Sequence, residues 1–103
     1  MPLRADVQAL VDLGPLPSEE AEVETIARYQ TLLHGIARPV SRDEALALLR
    51  CFGPDEAYGL AWSLVHLVET APGGPLFEHD PGDSNEWHKL IWTRSQHPDA
   101  RFR

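Results

Sequence analysis

Potential metal ligands and acid–base groups occur at two places in the second half of the chain. His66 and Glu69 are three residues apart, which puts both side chains on one face of a helix, where they could present two ligands to one metal ion. The second group is a loop cluster made of Glu78, His79, Asp80, Asp83, Glu86 and His88. A metal site needs three or four converging ligands, and the cluster spacing does not match a calcium loop. We therefore predict no metal and no cofactor, although a small metal-binding protein or enzyme using His66, Glu69 and the loop histidines stays open as an alternative.

The remaining nucleophiles lack catalytic surroundings. Ser63 and His66 share one helix, but no third group and no oxyanion site accompany them. Cys51 is the only cysteine and comes at the end of a predicted helix, where a thiolate is disfavoured, so we expect a buried and unreactive thiol. The sequence also contains no phosphate-binding glycine loop and no Gly-x-Ser-x-Gly motif. These observations favour a binding protein over an enzyme.

The same acidic loop, together with exposed tryptophans, could form a protein contact surface. Tryptophan is a common anchor at protein interfaces, and Trp92 is expected to lie off the inner side of its helix. A helix cap accounts for Asp83 and Glu86 better than catalysis does. We predict a partner-binding surface that comprises Glu78, His79, Asp80, Asp83, Glu86, Trp92 and Trp62.

Composition narrows the possible partners. The chain has 103 residues, 43% of them hydrophobic, and a net charge of −7 to which both halves contribute. Nucleic-acid binding is not expected, because it needs clustered lysine and arginine, whereas an acidic surface attracts basic proteins. The N-terminus has no apolar signal core, and the longest apolar stretch, 58–68, is too short to cross a membrane. We expect a cytoplasmic protein with a protein partner, or a homodimer if the chain is a self-associating structural module.

Helical periodicity and capping residues predict an all-α fold, a compact bundle of about five helices that could include HEAT-like αα hairpins. The first helix covers 4–13, and Ser18 is expected to cap a second one that ends near 35–38. Ser41 and Glu44 form a capping box for the third helix, which Gly53 should end in a left-handed conformation. The fourth, apolar nearly all round, covers about 55–70, and Asp83 opens a second capping box before the fifth. Residues 1–94 are predicted to form one domain, and 95–103 a flexible tail.

Two stretches carry a resemblance to a known group of proteins. They are FGPD at 52–55, which continues through YGLAW at 58–62 and HLVETAPG at 66–73, and SNEW at 84–87. They resemble small bacterial proteins, of actinobacterial type, that look like immunity proteins of polymorphic toxin systems. The resemblance implies a cytoplasmic protein that binds a cognate toxin, here expected to be a basic toxin domain, and blocks its active site. It implies no role for individual residues.

Overall fold

The computed structural model confirms an all-α bundle of five helices. It describes residues 3–53, 56–72, 76–77, 79–82 and 85–96, and these residues contain no strand. The helices are α1 (Ala5–Leu13), α2 (Val23–His34), α3 (Arg42–Leu48), α4 (Leu60–Val68) and α5 (Glu86–Gln96), with a short 3-10 helix at Leu49–Cys51 after α3. None of these helices is long and apolar enough to cross a membrane.

The core is built around α4. Six of its nine residues are buried, namely Leu60, Ala61, Leu64, Val65, Leu67 and Val68. A helix that is apolar on most sides belongs at the centre of a bundle, and α4 packs on α2, α3 and α5. The main contacts of α2 and α3 are with α1 and α4, so the bundle is organised around α4 more than around an α2–α3 hairpin.

Two helices begin later than their sequence patterns predict. Ser18 does not cap α2: it closes a separate turn in which its carbonyl accepts from the amide of Ala21, and Glu22 precedes the helix instead. The predicted start of α4 near residue 55 is also wrong. Ala57, Tyr58 and Gly59 have φ angles of 47°, 54° and 92°, so they form a left-handed turn that cannot be part of an α-helix.

Gly53 is required for a different reason from the one predicted. Its φ is not positive, so it is not a left-handed helix end. A Cβ atom at this position would lie 2.0 Å from the carbonyl oxygen of Leu16, far inside van der Waals contact. The two segments are held together there, because the amide of Leu16 donates to the carbonyl of Cys51 at 2.7 Å. Only glycine allows the backbones to pass this closely.

The predicted capping box of α3 is confirmed and has an additional role. Ser41 Oγ accepts from the amide of Glu44, and the Glu44 carboxylate accepts from the amide of Ser41 at 2.8 Å. The same carboxylate, 4% exposed, accepts from Arg4 Nε at 2.9 Å and from the Arg4 amide at 3.1 Å. The hydrogen bond from the Arg4 side chain, helped by these backbone amides, lowers the pKa of Glu44 to about 2. One buried carboxylate therefore joins the start of α1 to the start of α3.

The cap of α5 is Asn85 rather than the predicted Asp83. Asn85 Oδ1 accepts from the amides of Trp87 and His88 at 2.9 and 3.1 Å, and its carbonyl accepts from the amide of Lys89. The side chain of Asn85 thus satisfies two of the amides that a helix start leaves without an intrahelical partner. Asp83 lies outside the described residues, as does the predicted tail beyond Gln96.

Replacing Asn85 with alanine should therefore destabilise the domain by about 1 kcal/mol, the usual contribution of an N-cap. Asn85→Asp is the matched control, because aspartate caps equally well and adds a favourable charge at the helix start. Urea denaturation followed by circular dichroism measures both free energies of unfolding. Equal stability of Asn85→Ala and the wild type would contradict the assignment of this cap.

Candidate protein-binding surface

A continuous row of aromatic rings connects the surface of α4 to the loop before α5. Consecutive ring centroids lie 5.4 to 6.4 Å apart. The row contains, in order, Phe77, His88, Phe52, Trp87, Trp62 and His66. Trp87 is at its centre, stacked on Phe52 and edge-on to Trp62, geometries that aromatic pairs prefer. The row gives Trp62 a rigid base, although Trp62 itself lies at the surface.

Two of the residues considered for chemistry, His88 in this row and Cys51, have structural roles. His88 Nε2 lies 2.6 Å from the carbonyl oxygen of Leu49, and because a carbonyl can only accept, Nε2 carries the proton that joins α5 to the 3-10 helix. Cys51 is 1% exposed, and burial raises the pKa of its thiol to about 11. The prediction of a buried cysteine is thereby confirmed, and the raised pKa disfavours the thiolate, which is the reactive form.

Two members of the row, Trp62 and Trp87, line an open groove between α4 and α5, here called the Trp62 groove. Its volume is about 400 Å³, and it is lined by Glu56, Trp62, Glu86, Trp87 and Leu90. Trp62 is 36% exposed, and its indole N–H donates to Glu56 Oε1 at 3.1 Å. Glu56 and Glu86 are both exposed and form an acidic rim. The other lining residues, Trp62, Trp87 and Leu90, make the rest of the groove apolar.

The left-handed turn at 57–59 gives this surface its shape. Ala57 is completely buried, whereas Tyr58 beside it is 70% exposed and donates from its hydroxyl to the carbonyl of Glu19 at 2.9 Å. A non-glycine residue with positive φ costs about 1 kcal/mol or more, and consecutive ones persist only where the surroundings hold them. The turn brings Glu56 within hydrogen-bonding distance of Trp62 and leaves the Tyr58 ring in solvent.

The structure divides the predicted partner-binding residues into two places. Trp62 and Glu86 both line the Trp62 groove. Asp80 and Trp92 meet instead at Lys89, whose ammonium pairs with the Asp80 carboxylate and lies 5.3 Å from the centre of the Trp92 ring. The pKa of Asp80 is lowered by its hydrogen bonds from Lys89 and from the amide of Gly82. His79 is exposed, while Glu78 and Asp83 lie outside the described residues.

The two residues considered as metal ligands, His66 and Glu69, each contact a different neighbour. Glu69 accepts two hydrogen bonds from Arg94, at 2.8 Å from Nε and 3.0 Å from Nη2, and both side chains are largely buried. This bidentate pair links α5 to the end of α4 and raises the pKa of Arg94. His66 packs against the ring of Trp62. Within the described ranges, no three histidine, cysteine, aspartate or glutamate side chains come together as metal ligands would.

The sequence pattern does not identify Glu56 and Tyr58 as site residues, because both lie inside the uninterrupted helix that it predicts over about 55–70. The available signal was Gly59, which follows an aromatic residue and is the residue type that left-handed turns favour.

A second groove lies between α2 and α4 and has no aromatic lining residue. It is lined by Leu33, His34, Ile36, Arg38, Ser63 and Leu67. The Trp62 groove is therefore the stronger candidate for binding a protein. No protein-family model, curated protein or solved structure matches this chain, so the candidate surface rests on its own geometry.

Proposed function

We propose that this chain is a small cytoplasmic immunity protein that neutralises a basic toxin by binding over its active site. The observation that supports the proposal is the Trp62 groove, which Trp62 lines together with the carboxylates of Glu56 and Glu86, while Tyr58 is exposed on the turn before α4. Tryptophan and tyrosine contribute most often to the energetic centres of protein interfaces. Carboxylates around them select a partner that carries lysine or arginine.

The charge of the chain supports a basic partner as well. A net charge of −7 on a domain of this size accelerates encounter with a positively charged protein and makes association sensitive to salt. A toxin that acts on nucleic acid must itself carry basic residues to hold phosphate groups. Carboxylates placed against those residues would occupy the positions of the phosphates. The same charge opposes close approach of two copies of the chain, which disfavours the self-associating alternative.

The test is co-expression of the tagged protein with the product of the neighbouring gene, scored both by suppression of toxicity and by the Kd of the purified pair. Trp62→Ala should weaken binding by about 2 kcal/mol, or about 30-fold, because it removes the aromatic anchor. Glu86→Lys should weaken binding by about tenfold or more, since it reverses a charge at the groove. Glu24→Lys is the matched control, with an equal charge change on an exposed residue of α2 outside the groove.

Other results would indicate a different binding surface or a different function. A complex whose Kd changes less than about twofold in both groove variants would show that a different face binds. Glu78→Lys combined with Asp80→Lys would then test the acidic loop, the other predicted surface. A chain that binds no neighbour but forms a stable dimer through Trp62 would be a self-associating module. Bound metal that is lost in His66→Ala would instead favour the metal-dependent alternative.

A further inference from the structure

We infer that the Trp62 groove receives an arginine side chain from its protein partner, with the guanidinium stacked on the Trp62 indole and paired with Glu56 and Glu86. This inference rests on the proposed protein-binding function and specifies the group that the groove recognises. It is carried by three features of the described residues: an oriented indole, two carboxylates without a basic partner, and an apolar floor.

The indole of Trp62 is held in a defined orientation. Its N–H is tied to Glu56, and Trp87 packs against it at a centroid distance of 5.6 Å with the rings 89° apart. An indole face is the strongest aromatic site for a cation, and a planar guanidinium can also stack on it. A ring that is already oriented loses little side-chain entropy when a partner binds.

The carboxylates of the groove differ from three other carboxylates of the described residues in having no basic side chain paired with them. Glu44 is paired with Arg4, Glu69 with Arg94, and Asp80 with Lys89. In the part of the chain that the structure describes, no lysine or arginine pairs with Glu56 or Glu86.

The two partly exposed tryptophans differ in the same way. A cation of the protein itself, Lys89, already lies over Trp92, whereas no described lysine or arginine lies over Trp62. Among the described residues, the groove thus combines an indole over which no lysine or arginine lies with two carboxylates that pair with none.

Arginine fits these features better than lysine does. Its guanidinium is flat, so it can stack on the indole while its N–H groups point outward to carboxylates on either side. Its methylene stem can pack on the apolar floor formed by Trp87 and Leu90, as long basic side chains do elsewhere. Lysine offers one compact charge that cannot stack and pair with two acceptors in this way.

The experiment uses the tripeptide Ac-Gly-Arg-Gly-NH2, and its citrulline counterpart, which has the same shape without the charge. Each is titrated into the full chain while the indole N–H resonance of Trp62 is followed by NMR. We expect a saturable shift with a Kd of about millimolar order for the arginine peptide and none for the citrulline peptide. Glu56→Gln combined with Glu86→Gln should weaken binding by about tenfold or more, because both charge-assisted contacts are lost.

The control is Glu20→Gln combined with Glu24→Gln, which makes the same charge change at two exposed residues that do not line the groove. Glutamine at position 56 keeps an oxygen that can accept from the Trp62 indole, so the groove should stay intact. Equal shifts with both peptides, equal affinity of both double variants, or no saturable shift at all would overturn the inference. The proposed function has a separate test, because a protein complex that depends on Trp62 but not on Glu56 and Glu86 would support it while rejecting the arginine.

Discussion

Gly53→Ala should destabilise the domain by about 3 kcal/mol, a large part of the total stability of a small domain. The new Cβ would meet the carbonyl oxygen of Leu16 at 2.0 Å, and the obstacle is backbone, which cannot rotate away as a side chain can. Relief requires the two segments to separate, which breaks the hydrogen bond from Leu16 to Cys51. Urea denaturation monitored by circular dichroism gives the free energy of unfolding.

Gly35→Ala is the matched control for this prediction. Gly35 has an ordinary helical φ of −81°, and its nearest contact for a new Cβ is the Thr31 carbonyl oxygen at 3.2 Å. We expect a change within about 1 kcal/mol, because alanine fits that backbone conformation and restricts the unfolded chain. If Gly53→Ala is as stable as Gly35→Ala, the close crossing of residues 16 and 53 is incorrect.

Glu44→Gln should cost about 2 to 3 kcal/mol at neutral pH, the scale of a buried hydrogen-bond set that involves a charged group. Glutamine can still accept from the amide of Ser41, so the capping box survives and the change isolates the loss of the Arg4 pair. Thermal or urea denaturation at pH 7 measures the difference. The control Asp80→Asn removes a pair at the surface, where solvent screens the charges, and should have a much smaller effect.

The pH dependence of stability provides a second measurement on the same variant. The pKa of Glu44 falls from an ordinary 4.5 to about 2 on folding, so the unfolded chain takes up the proton first as the pH is lowered. Stability from this group is therefore complete above about pH 5 and is lost between about pH 5 and pH 2. We expect the wild type to lose stability more steeply than Glu44→Gln across this window. Parallel pH profiles would show that the carboxylate is not held ionised by Arg4.

Local sequence signals predict the features of this fold that depend on residues within a single helix, such as a cap or a buried face. The Ser41 and Glu44 pair lies within four residues, so the capping box can be read directly from the chain. The apolar character of α4 likewise predicts its central position, because a helix that is apolar nearly all round has no polar face to turn toward solvent. Arg4 could not be assigned to Glu44, since 40 residues separate them and only the folded bundle brings them together.

The candidate site was less predictable, because it depends on a departure from local preference. Ala57 and Tyr58 have no intrinsic reason to adopt positive φ, so a helix from residue 55 was the natural expectation. Tertiary contacts override that preference, among them burial of Ala57 and the bond from Tyr58 to Glu19. The pairing of Glu56 with Trp62 follows from that turn. Trp62 could be identified from its residue type, but the groove around it could not.

The aromatic row also gives the protein an optical property. Trp62 and Trp87 lie edge-on with their ring centres 5.6 Å apart, close enough for their electronic transitions to couple. Such coupling adds an exciton signal to the circular dichroism of the tryptophans, and its sign and size depend on the mutual angle of the two indoles. Because Trp62 is at the surface and Trp87 is buried, a molecule that reorients Trp62 would change a signal shared with the core. Occupancy of the Trp62 groove can therefore be followed by the tryptophan circular dichroism of the unlabelled protein.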